Sequence, residues 1–285
     1  MKEFPEFIQL PLDEWIDVIV DWVTIQGEFI FDTIGAWLLV PLLGLERFLL
    51  WLPWFVIVIL VALAAWHLRG WQLAAGTVVG MVFVGSLGLW NLAMSTLAIV
   101  IAATALAIII GIPIGIAMAR NDLVENIIRP ILDLMQTMPS FVYLIPALML
   151  FGLGKVPALL ATFIYAVPPA IRLTNLGIRQ VAPDVIECGK AFGSTSRQLL
   201  LKVQLPLAMP TIMAGVNQTI MMALAMVVIA SMIGAGGLGK EVLTGIAQLK
   251  VGRGFNGGIS IVVLAIIIDR ITQGLTRSKA QTQQA

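Results

Sequence analysis

The sequence predicts an all-α polytopic membrane protein, and three observations carry that prediction. The 285-residue chain is 59% hydrophobic and 12% charged. Several runs exceed the roughly 18 apolar residues that mark a membrane-spanning helix. All eight tryptophans lie between Trp15 and Trp90, clustered where apolar runs begin and end, as interfacial anchors do. Few stretches outside these runs are long enough for a soluble domain, so a single helical unit is expected.

The elements follow in order. Residues 12–49 place Trp15, Ile16, Ile19, Val20 and Val23 at helical spacing, with Asp13, Asp17, Asp21 and Glu28 elsewhere. This predicts one or two amphipathic helices on the membrane surface. The apolar 34–45 stretch is short and contains Pro41, and it reads as interfacial or re-entrant. Seven spans are expected: Leu52–Trp66, Trp71–Leu89, Leu92–Ala119, Phe141–Leu153, Pro157–Ile171, Pro210–Ile233 and Ile259–Ile271. A polar amphipathic link, Arg120–Gln136, joins the third and fourth. A glycine-rich turn at 234–239 opens a polar segment to Gly258, and the polar tail from Thr276 is expected to be disordered.

Charge sets the orientation. Residues 1–50 hold nine of the sixteen acidic residues and only two bases, whereas the 172–205 loop carries five bases against two acids. The excess of lysine and arginine predicts a cytoplasmic 172–205 loop, an external N-terminus and a cytoplasmic C-terminus. Lys240, Lys250 and Arg253, on the predicted outer side, run against this count.

Several functions are excluded by composition. No G-x-x-x-x-G-K-[ST] phosphate loop occurs, and Gly152-Leu153-Gly154-Lys155 lacks the earlier glycine. The lone Cys188 has no second thiol for a disulfide or metal site. One histidine, His67, gives no credible catalytic triad. No basic patch with interleaved aromatics exists for nucleic acid. The start of the chain has no basic flank before an apolar run, so no cleaved signal peptide is expected.

The polar segment 187–206 reads E-C-G-K-A-F-G, nine residues, V-Q-L-P. Asp184 and Glu187 suit the first turn of a helix after Pro183. Val185, Cys188, Gly189 and Phe192 share one face. Gly193 offers the positive φ that ends a helix, and Ser194 or Thr195 is placed to cap a second helix, which would show Leu199, Leu200 and Val203 and end at Pro206. Glu187, Gly193, Val203, Leu205 and Pro206 stand at the spacing of the cytoplasmic docking loop of ABC-importer permeases, with Cys188 and Gly189 where that family has two alanines. An amphipathic helix-turn-helix between spans has the same local pattern.

The run Asp133–Gly154, D-L-M-Q-T-M-P-S-F-V-Y-L-I-P-A-L-M-L-F-G-L-G, and the run Pro168–Arg179 resemble permease subunits of glycine-betaine/proline-betaine ABC importers. The resemblance covers roughly Trp90 to Leu275. It implies the type I importer transmembrane fold: a five-helix core in 91–275, with two extra spans in 51–90, an acidic amphipathic region in 1–50 and a polar tail in 276–285. It also implies a non-catalytic subunit of the bacterial inner membrane that pairs with a second copy. Two ATPase subunits, which hold ATP and magnesium, would dock at Glu187, Cys188, Gly189, Phe192, Gly193, Val203, Leu205 and Pro206. A separate extracytoplasmic binding protein would deliver a compatible solute. The choice among glycine betaine, proline betaine, choline, carnitine and trimethylamine N-oxide stays open.

Quaternary ammonium recognition normally uses an aromatic cage. Beyond Trp90 the chain has no tryptophan, and its two tyrosines are Tyr143 and Tyr165. Recognition is therefore expected in the binding protein. Candidate pathway residues are Gln136, Thr137, Ser140, Tyr143, Asn217, Gln218 and Met222, with Met221 and Met226 beside them. Polar groups in membrane helices also serve only to bridge helices, and methionines to fill gaps. A permease for methionine or sulfonates remains an alternative. A stand-alone secondary transporter fits less well, because mid-span acids are lacking.

Overall fold

The computed structural model describes residues 12–282, with side chains over 14–274, and no strand occurs among them. In chain order the helices are α1 (Leu12–Trp51), α2 (Trp54–Arg69), α3 (Trp71–Ser86), α4 (Trp90–Arg120), α5 (Asp122–Thr137), α6 (Leu144–Phe151, entered through a 3-10 turn at Ser140–Tyr143) and α7 (Lys155–Arg179). They continue with α8 (Pro183–Ala191), α9 (Ser196–Leu199), α10 (Leu205–Ala230), α11 (Gly237–Ala247) and α12 (Val251–Thr282).

The centre of the molecule is α7 packed between α4 and α10, and 67% of α7's most apolar stretch is buried. Small residues permit this. Ala98 and Ala103 of α4, Ala158 and Ala161 of α7, and Ala223 and Ala230 of α10 are fully buried in one cluster. Lipid tails are as apolar as leucine, so close backbone approach, not hydrophobic transfer, holds such helices together. Gly115 is the tightest case: a Cβ there would stand 2.6 Å from the Ile171 carbonyl oxygen.

Among the described residues, five helical stretches are long and apolar enough to cross a membrane, or six if the α5–α6 pair counts as one. Of the expected seven spans, Leu92–Ala119, Pro157–Ile171, Pro210–Ile233 and Ile259–Ile271 fall in such stretches, and Leu52–Trp66 and Trp71–Leu89 correspond to the shorter apolar helices α2 and α3. Helices α2 and α3 have 16 residues each. At roughly 24 Å they fall short of the ~20 residues a hydrocarbon core requires. The expected Phe141–Leu153 span is the short second limb of a helix pair bent by 113°. Met138, extended ahead of Pro139, makes the bend, because proline disfavours helical backbone in the residue before it. Helix α12 starts at Val251, eight residues before the expected span. It runs as helix to Thr282, where a disordered tail was expected.

The N-terminal region takes the single-helix form of the one or two helices expected. Helix α1 is one helix of 40 residues that passes through Pro41. The proline removes one backbone hydrogen bond, but its neighbour Leu42 is 1% exposed in the central cluster and pins the helix there. Although α1 is long enough to span, only 6% of its most apolar stretch is buried. Its contacts lie at one end of the bundle. Phe31 meets Phe151 edge to face at 5.5 Å, Gly35 faces Phe151 and Val156, and Glu46 meets Lys155 and Ser95. From Phe31 to Glu46 a helix advances roughly 22 Å, yet its partners at the α6–α7 junction advance only from 151 to 156. Helix α1 therefore lies across the end of the bundle. Residues 1–11 of the expected acidic region lie outside the described residues.

Candidate functional site

Helix α8 has no buried residue. Pro183 stands in its first turn with Asp184, and Glu187 and Cys188 are exposed. Phe192 follows at its end, 85% exposed. The exit is a Schellman turn: Gly193 takes φ +76°, its N–H donates to Lys190 O at 2.9 Å, and Ser194 N–H donates to Gly189 O at 3.1 Å.

Thr195 then caps α9, as the sequence suggests, in a reciprocal capping box. Gln198 N–H donates to Thr195 Oγ1 at 3.3 Å, and Thr195 N–H donates to Gln198 Oε1 at 2.8 Å. Gly189 brings α8 onto this second limb, for a Cβ there would lie 2.7 Å from Leu199 Cδ1. Leu199 and Leu200 are buried, and Val203 and Leu205 are half-buried.

One expectation is corrected here. Pro206 does not end the second helix. Residues 196–233 form one continuous helical stretch, with a π-turn over Leu200–Gln204. The π-turn shifts the hydrogen-bond register just ahead of the proline, whose nitrogen has no hydrogen to donate. The second limb that follows α8 therefore runs without a break into α10. The expected loop boundary at 172 also moves, because α7 stays helical to Arg179.

Helix α7 is held in that last stretch by a network of side chains from α5. Arg179 Nη2 meets Asp122 Oδ1 at 2.7 Å and Glu125 Oε2 at 2.8 Å, and donates to Met118 O at 2.8 Å. Asn175 donates to Glu125 at 3.1 Å, and Arg172 pairs with Asp133. Residues 172, 175 and 179 fall on one face of α7, while 122, 125 and 133 lie along α5. Those spacings were the available signal. The network fixes α5 to α7 just before α8 begins.

The pathway candidates fall into two groups. Gln136 and Thr137 are exposed at the end of α5, and Ser140 opens the 3-10 turn half-buried. Tyr143 is 5% exposed; its hydroxyl donates to Met135 O across the bend, and its ring meets Tyr165 edge to face at 5.7 Å. On α10, Asn217 donates to Asp269 of α12 at 3.0 Å, Gln218 is exposed and Met222 is half-buried. Gln273 also donates to Asp269, at 2.9 Å. Tyr143 and Asn217 thus make contacts that brace helices. No group of three or more metal-ligating side chains occurs among the described residues.

At the far end of α10, Gly154 N–H donates to Ile233 O at 2.9 Å. Leu238 N–H, opening α11, donates to Thr96 Oγ1 at 2.8 Å. Glu241 of α11 accepts from Arg253 Nη2 at 2.8 Å, and that guanidinium holds the Glu241 carboxyl below its ordinary value.

The described residues thus form a helical bundle of membrane-spanning length, with the exposed helix α8 turned at the foot of α10. The profile of the family described as "Binding-protein-dependent transport system inner membrane component" matches residues 111–281, and the chain belongs to that family. It is 51% identical to the glycine betaine/proline betaine transport system permease protein ProW of Escherichia coli (strain K12), over 94% of this chain and 76% of that one. It is 47% identical to the glycine betaine transport system permease protein OpuAB of Bacillus subtilis (strain 168), over 95% and 96% respectively. It is 45% identical to the glycine betaine/carnitine transport permease protein GbuB of Listeria monocytogenes serotype 1/2a (strain 10403S), over 98% and 100%. Among solved structures, an inward-facing form of the MetNI methionine ABC transporter aligns with a TM-score of 0.60 at 20% identity, covering 65% of this chain and 93% of that one. That likeness shows the type I importer fold.

Proposed function

We propose that this chain is the membrane subunit of an ATP-driven importer for compatible solutes such as glycine betaine or related methylated amines. A separate ATPase, holding ATP and magnesium, docks on 187–206. A second copy completes the translocation path, and an extracytoplasmic binding protein delivers the solute. The N-terminus lies outside and the C-terminus in the cytoplasm. The observation that carries the docking reading is α8, which has no buried residue yet is fixed by a Schellman turn and a capping box to the helix that continues into α10. A helix that rests on its own chain only along the Gly189–Leu199 side, with Glu187, Cys188 and Phe192 left exposed, suits a contact with a moving domain. The solute class is supported by the names of the relatives at 45–51% identity. The scarcity of aromatic residues after Trp90 assigns tight binding to the delivering protein.

Membrane vesicles containing this chain with its ATPase and binding protein are expected to accumulate radiolabelled glycine betaine on addition of ATP, and to stop when either partner is omitted. Uptake by this chain alone without ATP would overturn the reading. For the orientation, a cysteine at Asp17 in a Cys188→Ser background is expected to react with an impermeant thiol reagent added from outside. Labelling only in opened membranes would invert the topology.

A further inference from the structure

Glu14, Asp17, Asp21, Glu28, Asp32 and Glu46 of α1 are spaced by 3, 4, 7, 4 and 14 residues. At 100° per residue they fall within a stripe about 60° wide. The last of them is satisfied inside the chain: Glu46, 7% exposed, pairs with Lys155 of α7 and accepts from Ser95 of α4 at 2.7 Å. The other five are exposed and have no cation partner among the described residues. The helix makes its first ring contact with the bundle at Phe31–Phe151, so the nineteen residues before it run beyond that contact, with Thr24 and Glu28 facing α6 across an open groove. Lipid is a poor neighbour for the stripe, since carboxylates are strongly disfavoured in hydrocarbon.

The same end of the molecule carries unpaired positive charge. Helix α11 is tied there by Leu238 to Thr96, one residue from the Ser95 that binds Glu46. Lys240 and Lys250, at the two ends of the α11 hairpin arm, are exposed and form no ion pair among the described residues. From Glu14 to Phe31 the overhang measures roughly 26 Å, long enough to cross onto an adjacent protomer.

We infer that the overhanging half of α1 docks on the second copy of this chain, its carboxylate stripe facing that copy's Lys240 and Lys250. The contact repeats between copies what Glu46 and Lys155 do within one. This inference rests on the reading of the permease as a pair.

The test uses the full complex with two differently tagged copies, one carrying a photoactivatable phenylalanine analogue at Asp21. Irradiation is expected to join the two tags, with the adduct mapping to residues 237–253 of the other copy. Asp21→Lys should cut the yield of two-tag complex several-fold, and adding Lys240→Glu should restore it. If the tags co-purify but the adduct forms only with lipid, with the binding protein or within one copy, the docking is overturned and the pair stands. If the tags do not co-purify at all, the pair itself fails, and the inference with it.

Discussion

Glu46 and Lys155, 109 residues apart, form an ion pair that fastens the N-terminal helix to the first turn of the most buried helix. Their side chains are 10% and 29% exposed. The Glu46 carboxylate also accepts from Ser95 of α4, so one buried acid ties three helices. The adjoining Gly154 is bonded to the end of α10.

Glu46→Ala should leave Lys155 without a partner in a mostly desolvated site. Breaking a fully buried pair costs roughly 3–5 kcal/mol. Lys155 keeps some access to water, so about 2 kcal/mol is expected, read as a lower thermal midpoint of the purified complex. The double change Glu46→Leu with Lys155→Met should recover most of the loss. A double variant no more stable than the single one would show that the pair is not the source.

Gly193→Val should strain the Schellman turn, because left-handed backbone is a genuine outlier for a β-branched residue. The expected cost is on the order of 1–2 kcal/mol, confined to an exposed element. The bundle should therefore fold, with an unchanged thermal midpoint, while ATPase capture and solute-stimulated ATP hydrolysis fall several-fold. Normal coupling in a correctly assembled variant would remove α8 from the docking role.

Arg179→Met should release α5 from α7. Glu125, only 17% exposed, would lose its close cation and the Met118 carbonyl its donor. Charge-assisted hydrogen bonds contribute roughly 1.5–3 kcal/mol each. Partial exposure of Arg179 lowers this to about 1 kcal/mol. Hydrogen exchange should rise over 122–137 and not over 237–247. A uniform rise across both segments would point to global destabilisation instead.

The Glu241–Arg253 pair makes a pH prediction. The Glu241 carboxyl is held below its ordinary value of 4.5 by the Arg253 hydrogen bonds. A depressed carboxyl stabilises the fold fully above its unfolded value, and the contribution is lost as pH falls through the folded one. Proteolytic protection of the α11–α12 hairpin should therefore be flat from pH 7 to about 5 and decline below 4.5. In Glu241→Gln that part of the decline should vanish. An identical profile in the variant would assign the pH effect to other groups.

The sequence by itself determined the local chemistry. Hydropathy alone located the apolar stretches, since the cost of exposing backbone to lipid demands helix wherever such a run crosses. The turn at Gly193 and the cap at Thr195 were legible for the same local reason: each depends on residues within four positions. What only the tertiary structure decided were the relations between distant segments. Whether α1 runs along the bundle or across it depends on Phe151, Val156 and Lys155, more than a hundred residues away. Whether Pro206 ends a helix depends on a π-turn whose first residue, Leu200, is buried against Ile178 of α7 and Ile212 of α10. The roles of Tyr143 and Asn217 turned on which carbonyl or carboxylate stood opposite them. Side-chain identity sets what a group can bond, but in a helical bundle the partner comes from another helix. The choice of partner is made by packing, where alanine and glycine let some pairs of helices close and bulkier residues hold others apart.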